Sequence, residues 1–255
     1  MATVTKIDRE TRWSEAEWET RVQLAACYRL VARYRMTDLI YTHISARVPG
    51  AEDQFLLNPY GLMFDEITAS SLVKIDLHGR QIEDGPYGVN AAGFTIHSAI
   101  HAARHDVFCV LHTHTRAGMA VACQKQGLLP LNQISLAFYN RLAYHDYEGI
   151  ALDHDERPRI VADLGDKRAM ILTNHGLLTA GRTIPEAFSL MFYLERACEV
   201  QIAALAGGAE LIIPPPEVCE KAALQNQMEN DAPCGDREWE AHIRMLDRED
   251  QSYRA

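Results

Sequence analysis

The chain reads as an α/β fold, and three observations point there. Short apolar runs rich in β-branched and aromatic residues, Phe108-Cys109-Val110-Leu111 and Met170-Ile171-Leu172, have the length and composition of buried strands. Longer stretches with apolar residues at helical spacing, from Ser14 to about Arg35 and from Ile184 to Ala206, alternate with them. The sequence carries neither a Rossmann glycine fingerprint nor a Walker loop, so this is a different α/β arrangement.

The elements follow in order. Residues 1–13 read as a loose arm, 14–212 as the main domain, and 213–255 as a C-terminal extension packed on its own core or on a neighbouring subunit. Ser14 with Glu17 forms a capping box that opens the first helix. Ile44–Val48 and Gln54–Leu57 read as strands around a Pro-Gly turn, Thr68–Leu72 as a short helix, and Val73–Asp76 with His78–Ile82 as a hairpin. A helix from Phe94 to His105 precedes the strand that ends in His112, and another runs from His114 through Gln126. A helix covers Asp155–Asp166, then comes the strand Ala169–Thr173, and the long helix from Ile184 stops at Gly207-Gly208. Pro214-Pro215-Pro216 breaks the chain, and the tail turns helical around Glu238–Leu246, with Trp239, Ile243 and Leu246 on one face.

With 255 residues the chain can bury a substantial core. Its net charge of −10, without a block of like charge, argues against nucleic acid or an anionic membrane as a partner. No stretch reaches the length of an apolar membrane span, and the N-terminus lacks a signal-peptide pattern. The six cysteines are scattered with no C-x-x-C pair, so they read as reduced core residues of a cytoplasmic protein.

Chemistry concentrates in three histidines. His112 and His114 end the first apolar run two residues apart, and alternate residues of a strand share a face. Two imidazoles side by side suit one divalent ion, and His175, in an Asn-His-Gly turn after the second run, can aim a third at the same point. Three protein ligands with an open position are the pattern of a catalytic metal site. The plainer reading, three unrelated surface or core histidines, is weakened by their shared place at strand ends, where α/β sites lie. His97 and His101, at i and i+4, lack the glutamate of H-E-x-x-H and read as core or as a layer behind the site. Tyr144, His145, Tyr147 and Glu148 pack titratable groups into five residues, as proton donors or as an ordinary hydrogen-bonded turn. Arg116 is placed either to bind a substrate carboxylate or to pair with an acidic neighbour.

Together, Val110-Leu111-His112-Thr113-His114, Leu172-Thr173-Asn174-His175-Gly176-Leu177-Leu178 and the spacing between them resemble the class II aldolase/adducin superfamily, over roughly residues 16 to 210. The resemblance implies a three-layer α/β/α domain with a mainly antiparallel central sheet, usually a homotetramer. It makes His112, His114 and His175 the ligands of a divalent ion, commonly zinc, with manganese or iron as alternatives.

The departures matter equally. The acid/base glutamate of the sugar-phosphate aldolases falls on Gly93, and the two serines before it fall on Ala91 and Ala92. The early phosphate loop appears as Thr42-His43-Ile44-Ser45 and a later Ser-Gly turn as Tyr60-Gly61, which leaves His43, Ser45 and Tyr60 as substrate-binding candidates. These changes resemble the adducin-type branch and argue against a sugar-phosphate aldolase. The expected function is a metal-dependent carbon–carbon lyase of decarboxylase or aldolase type, acting on a small non-phosphorylated oxo- or hydroxy-acid. A decarboxylase stands first, because it needs no base to remove a hydroxyl proton. The alternatives are a non-haem iron oxygenase and a non-catalytic adducin-like interaction module.

Overall fold

A computed structural model describes residues 12–150, 154–228 and 233–255. Seven strands form one sheet: β1 (His43–Val48), β2 (Ala51–Leu57), β3 (Val73–Asp76), β4 (Cys109–Thr113), β5 (Leu142–His145), β6 (Ala169–Leu172) and β7 (Gly176–Gly181). Their spatial order is β3-β2-β1-β4-β7-β6-β5. Every neighbouring pair is antiparallel except β5 and β6.

Helices cover both faces, which is why β4 reads as a continuous apolar run rather than an alternating one. Cys109 and Leu111 point into a core shared with α1 (Glu15–Arg33), while Val110 points into a second core with α2 (Ala91–Ala103). This is the three-layer α/β/α arrangement that the resemblance implied. α3 (Arg116–Ala122) and the short α4 (Gln133–Leu136) follow β4; α5 (Arg157–Leu164) links β5 to β6 and joins the α2 side. The long α6 (Ile184–Leu205) packs beside α1. No helix of the described residues is long and apolar enough to cross a membrane.

Several local expectations need correcting. Ser14 Oγ does accept from the Glu17 amide at 3.1 Å, but the Glu17 carboxylate turns to Arg21 Nε at 3.0 Å and Lys74 Nζ at 3.0 Å instead of closing a capping box. Residues 1–11 lie outside the described residues; of the expected arm, Trp13 is buried and its indole donates to Glu83 at 2.9 Å. The expected hairpin is β3 plus a single bridge, Ile75 to Gln81, because Asp76 draws the amides of His78 and Arg80 into a tight polar turn. Thr68–Leu72 forms only a 3₁₀ turn at Ala69–Ser71. The helix after His114 stops at Ala122, ahead of a turn at Gly127 whose φ is +63°. The helix expected over Asp155–Asp166 is a 3₁₀ turn, His154–Glu156, followed by α5.

The extension holds two helices. α7 (Pro216–Met228) was not foreseen; its first residue is the last of the three prolines, a residue suited to a helix's first turn. α8 (Asp236–Glu249) sets Trp239 and Leu246 into the main core, where Tyr253 joins them. Asp250 pairs with Arg29, Glu249 pairs with Arg33, and the Ala255 carbonyl accepts from the Ser70 amide at 2.9 Å. In this chain, then, the extension wraps its own α1.

Candidate metal centre

β4 ends where the loop before β7 begins, and the three histidines meet at that end of the sheet. His112 Nε2 lies 2.9 Å from His114 Nε2, which lies 2.9 Å from His175 Nε2. One nitrogen of each falls within 4.8 Å of the other two. The turn that delivers His175 needs unusual backbone: Asn174 has φ +58°, and a Cβ on Gly176 would run into the Thr113 carbonyl. The Asn174 amide donates to the Ala122 carbonyl at 3.0 Å, tying this turn to the end of α3.

The outer partners fix the chemistry of two rings. His112 Nδ1 donates to the Leu177 carbonyl at 2.9 Å, and His114 Nδ1 donates to Asp38 Oδ2 at 2.9 Å. A neutral imidazole with its proton on Nδ1 keeps a lone pair on Nε2. Burial pushes His112 well below the ordinary histidine range, and burial with the nearby His114 holds His175 at about 4, so both are neutral at pH 7. Three imidazole nitrogens facing one another this closely offer a ready set of donors to a cation held between them. The residues present therefore fit a divalent ion, and the outer partners are those that metal-bound histidines use.

Asp38 and Glu195 carry this arrangement without having stood out in the sequence. Buried Glu195 accepts from the Thr115 hydroxyl and from the Gly118 amide at 3.1 Å, which anchors the start of α3 directly after His114. Its signal was faint: one carboxylate on the apolar face of a long helix.

The remaining candidates scatter. His43 is the first residue of β1 and stands opposite His112 in register. It is 4% exposed, and neither ring nitrogen has a hydrogen-bond partner within the described residues. Burial, then the nearby His114, lowers His43 to about 3. It is a layer behind the ligands rather than an open substrate contact. Ser45 is fully buried, its hydroxyl bridging His97 Nδ1 at 2.6 Å and His101 Nε2 at 2.8 Å, so it too is core. Tyr60 is exposed beside Tyr41, with ring centres 6.4 Å apart.

Of the four clustered groups, Tyr147 comes to the triad, its ring centre 6.4 Å from that of His175 and more than half exposed. Tyr144 points elsewhere and accepts from the Leu128 amide at 3.0 Å. His145 is held between Asp163, at 2.6 Å, and Glu156, at 3.2 Å. Glu148 is paired with Arg159. Arg116 is exposed at the start of α3 and forms no ion pair among the described residues, so the acidic-neighbour alternative is not realised.

A shallow depression lined by His145, Tyr147, Glu156 and Thr173 opens beside His175. A far larger cavity, about 1270 Å³, lies at the opposite end of the sheet among Arg141, Arg168 and Arg182. Those cations already pair with Glu220, Asp106 and Glu186.

The Class II Aldolase and Adducin N-terminal domain profile matches residues 22–202. The chain belongs to the class II aldolase and adducin family. Within it, an aldolase II superfamily protein from Pseudomonas syringae is 56% identical, with TM-score 0.93 over 96% of this chain and 99% of that one. A protein named L-fuculose 1-phosphate aldolase, from Glaciozyma antarctica, is 30% identical, with TM-score 0.82 over 94% of this chain and 93% of that one. Alpha-adducin of Rattus norvegicus is 41% identical over 92% of this chain, which spans 34% of the adducin. The family thus unites proteins named as aldolases with a much longer adducin.

Proposed function

We propose that the protein is a metal-dependent carbon–carbon lyase acting on a small, non-phosphorylated oxo- or hydroxy-acid, by decarboxylation ahead of retro-aldol cleavage. The observation that carries this reading is the convergence of three imidazole nitrogens with two of the rings' outer nitrogens already committed. The bound divalent ion, most simply zinc, would supply positive charge for the oxygen that turns negative as the carbon–carbon bond breaks.

The chain's own residues supply the rest. Arg116, uncommitted and two residues beyond His114, suits a carboxylate in a two-pronged grip. Tyr147 is the proton source, since the other three clustered groups are engaged elsewhere. In a decarboxylation the bond's electron pair stays on the substrate and carbon dioxide leaves. The substrate carbon then takes the Tyr147 proton, and water restores the phenol. The absence of a carboxylate at Gly93 costs this reaction less than an aldol cleavage, which must also remove a hydroxyl proton.

The L-fuculose 1-phosphate aldolase neighbour favours a second reading, aldol cleavage of a phosphorylated sugar. Enclosed Ser45 and His43 speak against a phosphate cradle in the first loop. Elemental analysis of tag-free protein beside a His112→Ala/His114→Ala variant tests the core of the proposal. Near-stoichiometric zinc or manganese, lost in the variant, is expected and directs a screen of keto- and hydroxyaryl-acids for carbon dioxide release. Iron would send the screen to oxygen uptake instead. No metal in either protein, even after reconstitution, would refute the enzyme readings and favour an adducin-like module.

A further inference from the structure

Gly93, the third residue of α2, faces His43 so closely that a Cβ there would lie 2.5–2.7 Å from three atoms of the imidazole ring. Its backbone is ordinary helix, outside the left-handed region, so conformation does not demand glycine. Glycine is also a poor helix former. What the glycine serves is the seat of His43. That ring lies edge-on to His112 with centres 5.3 Å apart and tilts onto His97 at 4.6 Å. A buried imidazole with two unpartnered nitrogens is a costly filler, and a small apolar residue would pack the same space more cheaply.

We propose that His43 and Gly93 form a specificity-determining pair. The His43 ring fills the volume through which a side chain at position 93 would approach His112, and so limits the centre to three protein ligands. This rests on the metal-centre reading above. A centre limited in this way keeps its remaining positions for two oxygens of a chelating acid, with no protein carboxylate competing for them. His43 acts as a positioning residue; it reaches the ligands by packing.

The test is a double-substitution cycle with two independent readouts. In metal-free protein, Gly93→Ala should lower the melting temperature by on the order of 5 °C, because the new methyl must displace the ring. In a His43→Ala background the same change should raise it, since the clash is gone and alanine favours the helix. The same sign in both backgrounds would overturn the pair, whatever the centre binds. The second readout is zinc retention against a competing chelator. His43→Ala/Gly93→Glu should hold zinc about tenfold more tightly than His43→Ala, as a carboxylate enters the vacated volume. Unchanged retention would overturn the pair's part in limiting the ligands. Failure of the unaltered protein to hold zinc would overturn the metal reading instead, and leave the melting-temperature cycle to stand or fall by itself.

Discussion

Asp38 holds His114 from a loop whose backbone is bent at three points, with positive φ at Arg35, Leu39 and Thr42. The His112 ring needs no such help, because a backbone carbonyl of β7 fixes it and it is fully buried. The half-buried His114 ring depends on one carboxylate. Replacing Asp38 by Asn should therefore weaken zinc binding about tenfold or more, with the melting temperature of metal-free protein nearly unchanged. Chelator competition measures the first and thermal unfolding the second; equal affinity in the variant would mean that Asp38 is only a surface partner. Tyr147→Phe tests a different residue in a different way. Once a substrate is found, it should cost about 100-fold or more in kcat at unchanged metal content. At this scale the sequence was legible where periodicity speaks. His112 and His114 show by their two-residue spacing on a strand, and His175 by its Asn-Gly turn. Asp38 was hidden because no pattern encodes a loop that returns across 76 residues of chain. His43 and Ser45 stood out only through their resemblance to a phosphate loop, and the chain buries both on β1.

Among the elements, α8 shows how much an amphipathic stripe can tell. Trp239, Ile243 and Leu246 mark one face, and the structure docks that face on the main core. The neighbouring α7 has a mixed, weakly patterned sequence after a proline run, so its helix was invisible to the same argument. Truncating Trp239 to Ala removes a nearly buried indole packed edge-on against Phe188, and should cost about 3–5 kcal/mol of stability. A urea midpoint lowered accordingly, at an unchanged slope, is the expected result. A loss below about 1 kcal/mol would mean that α8 is a detachable strap. The two strands that lead to the ligands were the clearest elements in the sequence, because strands covered on both faces need unbroken apolar runs. The hairpin beyond β3 was overread, since Asp76 ties its turn through side-chain bonds that alternation cannot reveal.

Across the whole molecule, an acid-sensitive seam runs between the sheet and α2. His43, His97 and His101 are all buried there, and burial lowers each: His43 and His101 to about 3, and His97 well below its ordinary value. In the unfolded chain the same groups titrate near 6.5. Between these limits the unfolded state holds protons that the folded state refuses, so stability is present at neutral pH and drains away as pH falls below about 6.5. Buried His112 and partly buried His175 add to the same slope, and Glu195 carries the opposite sign, because burial raises its carboxyl above the usual range, but it is one proton against several. The folding equilibrium should accordingly fall by about a hundredfold or more per pH unit between pH 6 and pH 5. Urea titrations at pH 7, 6 and 5 read this slope directly. Replacing His101, which does not touch a metal ligand, by Gln should lower the slope by one proton even if the variant starts less stable. A flat profile down to pH 5 would mean that the seam admits water or protons without unfolding, and that the histidines behind the metal centre are not the closed layer described above.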